Sequence, residues 1–244
     1  MAARARAVQQ KLCVALDVDT LAEAKDLVEM LSPWVGVFKV GSQLFTSEGP
    51  RVVEAIQNAG GEVFLDLKYH DIPNTVMQAS LVAAKMGVYM FNVHALGGYY
   101  MMHQVASKLK EEAERSNHRK PIILGVTILT SMTPDELYTD LKIVEPLDQY
   151  VTHLARLAQL AGLDGIVCSP QELANARQAC GPEFTLVTPG VRPSWAAVND
   201  QKRIMTPREA VLNGADYLVI GRPILEADNP EQAAERILLE ISQG

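Results

Sequence analysis

Two rhythms alternate along the chain. Short apolar runs of strand type recur, and each is followed by a stretch in which apolar residues return every three or four positions. LCVALDV (12–18) precedes AEAKDLVEML, VGVFKVG (35–41) precedes PRVVEAIQNAG, and EVFLDLK (62–68) precedes TVMQASLVAAKMG. VYMFNVHA (88–95), PIILGVTI (121–128), DGIVCS (164–169), FTLVTPG (184–190) and DYLVIGR (216–222) each lead into a further helical pattern. Strands alternating with helices predict a parallel sheet. Eight units in 244 residues predict a single-domain (β/α)8 TIM barrel over 1–244. Gly60, Gly87, Gly162 and Gly214 stand where helix C-termini need them. Two connections, 129–147 and 190–206, are longer than a barrel requires. A doubly wound sheet competes, but its Gly-rich first turn is missing from DVDTL.

In a barrel, chemistry belongs at the C-terminal ends of the strands. Side chains alternate faces along a strand, which sorts the charges there. In the third strand Val63, Leu65 and Leu67 form an apolar face toward the helices, so Phe64, Asp66 and Lys68 point inward. The same parity turns Lys39 inward in the second strand and Asp17 inward in the first. Asp71 follows just beyond. Burying a charge unpaired costs several kcal/mol. Lys39, Asp66, Lys68 and Asp71 alternate in sign and compensate one another. An ion-pair plug is the plain alternative, and the position at the strand ends favours a functional site.

Composition narrows the partners. Hydrophobic residues make up 48% of the chain and charged residues 21%, as in ordinary globular proteins. A net charge of −7 argues against a nucleic-acid or membrane-surface binder. No apolar stretch approaches membrane-spanning length. Cys13, Cys168 and Cys180 form no CxxC pattern, which fits a reducing, cytoplasmic setting. MAARARAVQQ has arginines but no apolar region behind them, unlike a secretory signal. His70, His94, His103, His118 and His153 show no metal-ligand spacing, so no metal site is expected. His94 is read as a hydrogen-bonded structural residue, and His70 has no chemical role of its own.

Arg192 and Arg222 stand beside glycines just after the seventh and eighth strands. Barrels often bind phosphate there, at the start of a short extra helix for which Pro223 suits the first turn.

The motif D-x-K-x-x-D, continued as Asp71-Ile72-Pro73-Asn74-Thr75, resembles the orotidine 5′-monophosphate decarboxylase family in its bacterial form. ALDVD, FKVG, VHALGG, VTILTSM, TPGVRP and VIGRPI extend the resemblance over essentially the whole chain. It implies cofactor-independent removal of the C6 carboxylate of orotidine 5′-monophosphate, giving uridine 5′-monophosphate. Lys68 is then the proton donor, Asp66 lies near the departing carboxylate, and Lys39 and Asp71 complete the array. The resemblance implies that the run Asp66, Leu67, Lys68, Tyr69, His70, Asp71, Ile72, Pro73, Asn74 and Thr75 lines the substrate. Asp17 would bind ribose hydroxyls, Thr130 or Ser131 the pyrimidine, and Arg192, Gln201, Gly221 and Arg222 the phosphate. A homodimer is implied, with Asp71 and Thr75 acting across its interface. Loop 190–206 is expected to close over the phosphate. The alternatives are a related metal-dependent sugar-phosphate decarboxylase or aldolase, and a nucleotide-binding barrel without activity.

Overall fold

The computed structural model of the chain describes residues 2–116, 119–196 and 205–243. Eight strands close into a barrel in chain order: β1 (Leu12–Ala15), β2 (Val37–Gly41), β3 (Glu62–Tyr69), β4 (Met90–His94), β5 (Ile122–Val126), β6 (Gly165–Val167), β7 (Thr185–Pro189) and β8 (Tyr217–Ile220). All neighbours are parallel, and β8 closes on β1 with Leu218 opposite Leu12. The expected architecture is therefore the observed one.

Helices cover the outside. In chain order they are α1 (Ala2–Lys11), α2 (Leu21–Leu31), α3 (Ser42–Glu48), α4 (Arg51–Asn58), α5 (Pro73–Lys85), α6 (Gly98–Ser116), α7 (Pro134–Thr139), α8 (Leu147–Leu160), α9 (Leu173–Cys180), α10 (Pro207–Leu212), α11 (Arg222–Leu225) and α12 (Pro230–Ser242). Local chemistry sets many of their ends. Thr20, Thr133 and Thr206 each open a helix with a reciprocal capping box to Glu23, Glu136 and Glu209. Gly60, Gly87, Gly162 and Gly214 all adopt positive φ where a helix has stopped. Besides α11, the short extra helix expected after the eighth strand, three helices lie outside the eight units read from the sequence: α1, α3 and α7. The last occupies part of the long 129–147 connection. The C-terminal end of α1 packs so tightly on Gly36 that a Cβ there would meet Gln10 Cα at 2.5 Å.

The core has two shells. Cys13, Ala15, Val37, Phe64, Met90, Leu124, Val187 and Val219 fill the barrel interior. Their strand neighbours, among them Val14, Phe38, Val63, Leu65, Phe91 and Val93, pack outward against the helices. This split is the period-two pattern of the sequence made physical. The lower mouth is closed by Tyr89 and Tyr217, whose hydroxyls lie 2.6 Å apart, with the Arg119 guanidinium over the Tyr89 ring. The upper mouth is polar. Among the described residues, no helix is long and apolar enough to cross a membrane.

Candidate active site

Asp66 is the centre of the upper mouth. Its Oδ1 accepts from the Lys68 ammonium at 2.7 Å and from Asn92 Nδ2 at 2.6 Å, while its Oδ2 lies 3.6 Å from Lys39 Nζ. Lys39 in turn reaches Asp17 Oδ1 at 3.3 Å. The ion pairs form one row, Asp17–Lys39–Asp66–Lys68, from adjacent strands β1, β2 and β3. The middle of the row is dry and its ends are wet: the side chains of Lys39 and Asp66 are 12% and 13% exposed, those of Lys68 and Asp17 37% and 56%.

This gradient explains the protonation states. Burial alone would raise the Asp66 carboxyl, but Lys39, Lys68 and the Asn92 amide hold it below the usual carboxylate range. Burial would likewise lower Lys39, and Asp66 with Asp17 outweigh it, so its ammonium titrates above the ordinary value. Both central groups are thus charged at neutral pH. Cys13, buried beneath them, has its thiol pushed far up by burial and is a core residue.

Lys68 reaches the mouth by an irregular backbone. Its φ is +51°, one of two non-glycine positive values among the described residues. The β3–β4 ladder pairs Leu65 with Phe91 and then Tyr69 with Val93, so β3 carries extra residues between those pairs. Inward and outward faces still alternate across this bulge, which is why parity placed Lys68 correctly. The left-handed conformation costs about 1–2 kcal/mol for such a residue. It also removes the Lys68 N–H from the ladder. Asn92 Oδ1 accepts that N–H at 2.8 Å.

Two joined cavities border the row. One, of about 200 Å³, is mainly apolar and is lined by Phe64, Val126, Ile128, Thr130, Val167 and Pro189, with Lys39, Asp66 and Lys68 along one side. The other, of about 140 Å³, is lined by Asp17, Lys39, Gly190, Arg192, Gly221 and Arg222. They meet at Lys39, Pro189 and Val219. One end suits a flat apolar ring and the other an anion beside hydroxyls. Glycines make the room: a Cβ on Gly41 would lie 3.0 Å from Lys39 Nζ, and one on Gly221 would lie 3.3 Å from Asp17 Oδ2. Arg192 is 6% exposed, which excludes a solvated loop arginine, and Arg222 begins α11 with Pro223 in its first turn. A larger cleft of about 500 Å³, around Lys120, Asp164 and Glu183, lies at the opposite end of the barrel. There the Lys120–Asp164 pair at 2.7 Å and a bond from the Ile123 N–H to Asp164 tie strands together, the stabilising role expected of that face.

Not every expected residue joins the row. Asp71 is exposed outside the row of its own chain, and its Oδ1 accepts from the Ile72 N–H at 2.6 Å. Ile72, Asn74 and Thr75 are exposed at the start of α5, where Pro73 takes the first position. Leu67 and Tyr69 pack into the helix-side core. Ser131 is exposed beyond Thr130. Gln201 and the rest of 197–204 in the expected closing loop lie outside the described residues. His94 departs from the reading of a hydrogen-bonded residue. Its Nδ1 is buried with no partner and its ring stacks on His70 at 5.3 Å. Burial, with His70 and Lys68 nearby, pushes its pKa down to about 4. Asn92 was missed altogether. The signal was present, since β4 parity turns Met90, Asn92 and His94 inward, and an amide in a wholly buried strand needs partners.

Residues 10–237 match the family model described as "Orotidine 5′-phosphate decarboxylase / HUMPS family". The orotidine 5′-phosphate decarboxylase of Geotalea daltonii is 56% identical over 234 residues, covering 96% of this chain and 97% of that protein. That of Geobacter sulfurreducens is 55% identical over 236 residues, covering 97% and 98%. The crystal structure of orotidine 5′-phosphate decarboxylase from Lactobacillus acidophilus superposes with a TM-score of 0.84 at 36% identity, covering 95% of this chain and 99% of that one.

Proposed function

This chain belongs to the orotidine 5′-phosphate decarboxylase / HUMPS family, and from that premise we propose how its mouth works. The protein is a carboxy-lyase of pyrimidine biosynthesis that converts orotidine 5′-monophosphate to uridine 5′-monophosphate and CO2. The observation that carries the site assignment is the Lys68 ammonium held at 2.7 Å on an ionised, nearly buried Asp66, beside an apolar cavity that continues into a basic one.

The pyrimidine occupies the apolar cavity, with Thr130 or Ser131 at its edge. Asp17 and Lys39 meet the ribose hydroxyls. Arg192, Arg222 and the Gly221 backbone hold the phosphate, and Gln201 joins them. This places C6 against Lys68 and the C6 carboxylate against Asp66. The C6–carboxylate bond breaks, CO2 leaves, and the electron pair stays on C6. Lys68 gives its proton to that carbon and regains one from water. An ammonium already aimed at C6 stabilises the charge that develops there without reorganising. The like charge of Asp66 facing the substrate carboxylate is relieved as CO2 departs. The positive charge and the proton both come from Lys68, so we propose that no metal or organic cofactor takes part.

We also propose a cytoplasmic homodimer. Ile72 is 67% exposed in a stretch that also exposes Asp71, Asn74 and Thr75 directly after β3. A second copy packed against that stretch would carry Asp71 and Thr75 to the neighbouring row.

The direct test is loss of orotidine 5′-monophosphate absorbance on adding purified protein in excess chelator. Turnover by the wild type and none by Lys68→Ala is the expected result. A chelator-sensitive rate, or equal rates for the two proteins, would overturn the assignment.

A further inference from the structure

Asn92 is wholly buried on β4, facing the bulge of β3. It makes two bonds to that bulge, donating from Nδ2 to the Asp66 carboxylate at 2.6 Å and accepting at Oδ1 from the Lys68 N–H at 2.8 Å. Only one orientation of the amide satisfies both, because an ionised carboxylate can only accept and an N–H can only donate. At neutral pH an ionised Asp of the same length would have only acceptors, so the amide is what offers a donor and an acceptor together. The two residues it grips are the pair that meets the reacting carbon in the reading above, and this inference rests on that reading. We propose that Asn92 is a positioning residue: it locks the Asp66 carboxylate in its rotamer and clamps the left-handed backbone of Lys68, so that the ammonium is delivered to one point of the mouth.

The physical case follows from what the bulge removes. A strand that carries extra residues against its neighbour leaves backbone groups without a ladder partner. The Lys68 N–H is one, and the Asn92 side chain replaces the missing backbone acceptor. The same amide supplies the Asp66 Oδ1 with its second donor, so that oxygen stays bonded when Lys68 gives up its proton. The charged groups facing Asn92 are Asp66 and Lys68 on β3, with Lys39 beyond Asp66 on β2; the titratable His94 lies two residues further along β4, and β5 opposes Asn92 with Leu124.

Asn92→Asp is the discriminating variant because it is isosteric. While ionised, the new carboxylate cannot donate to Asp66 and repels it; once protonated, it can donate again. At pH 8 its kcat is expected to fall at least tenfold, and the gap to wild type should narrow as pH falls toward 5.5. Its Kd for uridine 5′-monophosphate should stay within threefold of wild type, since the apolar and basic cavities are untouched. Asn92→Ala should lose kcat similarly but show no recovery in acid. A wild-type kcat in Asn92→Asp, a loss indifferent to pH, or a loss matched by weaker product binding would overturn the inference. Lys68→Ala, assayed alongside, separates the two failures. Turnover by Lys68→Ala sinks the site reading, whereas an inactive Lys68→Ala beside a normal Asn92→Asp sinks only the role of Asn92.

Discussion

At the scale of single residues, Asp66 accepts two donors on one oxygen and faces a second ammonium across the other, which lets a nearly dry carboxylate stay ionised. Its lowered folded pKa adds stability above the unfolded value, lost as pH falls through the folded one. Lys39 has the opposite sign: its raised pKa adds stability that is fully present below the unfolded value and is lost as pH rises through the folded one. Between those limits Asp66 and Lys39 add no pH dependence of their own. His94 behaves differently, because its folded pKa of about 4 lies below the unfolded value near 6.5. The unfolded chain therefore binds the extra proton first, and stability falls as pH drops from about 6.5 toward 4. His94→Phe should lose less stability than the wild type between pH 7.5 and 5. Urea midpoints at the two values measure it, and equal losses would refute the role assigned to His94.

Among the elements, the strand ends carry the site and the glycines there set its dimensions. Gly41 has φ −89° and ψ −179°, a conformation any residue adopts, so its constraint is space rather than backbone. In Gly41→Ala the new Cβ would lie 3.0 Å from Lys39 Nζ, and the flexible ammonium would move to relieve it. Stability should change by less than about 1 kcal/mol. The kcat should fall on the order of tenfold, since small displacements of charged groups at a reacting centre are costly. Thermal denaturation and steady-state kinetics on the same preparation separate the two effects, and an unchanged kcat would show that the row tolerates movement. Helix starts were partly legible, because Thr20, Thr133 and Thr206 each stand three residues before a glutamate. The helices α1, α3 and α7 were not separately legible. None follows a strand as the main helix of its unit, and short segments gain most of their stability from tertiary packing.

For the whole molecule, the parallel pairing of β1, β2 and β3 sets their ends side by side, so residues separated along the chain form one row of alternating charge. Asp71 falls outside that row within a single chain. A shared site therefore makes a specific prediction: mixing inactive Lys68→Ala subunits with weakened Asp71→Ala subunits should recover activity, up to about one quarter of wild-type sites under random exchange of a dimer. Activity of the mixture against protein ratio checks it, and no recovery after confirmed subunit exchange would place Asp71 in its own chain's site. The strand count, the barrel and the inward face of Asp17, Lys39, Asp66 and Lys68 could be read from periodicity, because alternation along a strand is a local property that burial enforces. The link between Asn92 and Asp66, 26 positions apart, could not. Neither could the stack of His70 on His94. Those depend on the register between neighbouring strands and on the backbone turn at Lys68, and only the packed barrel decides them.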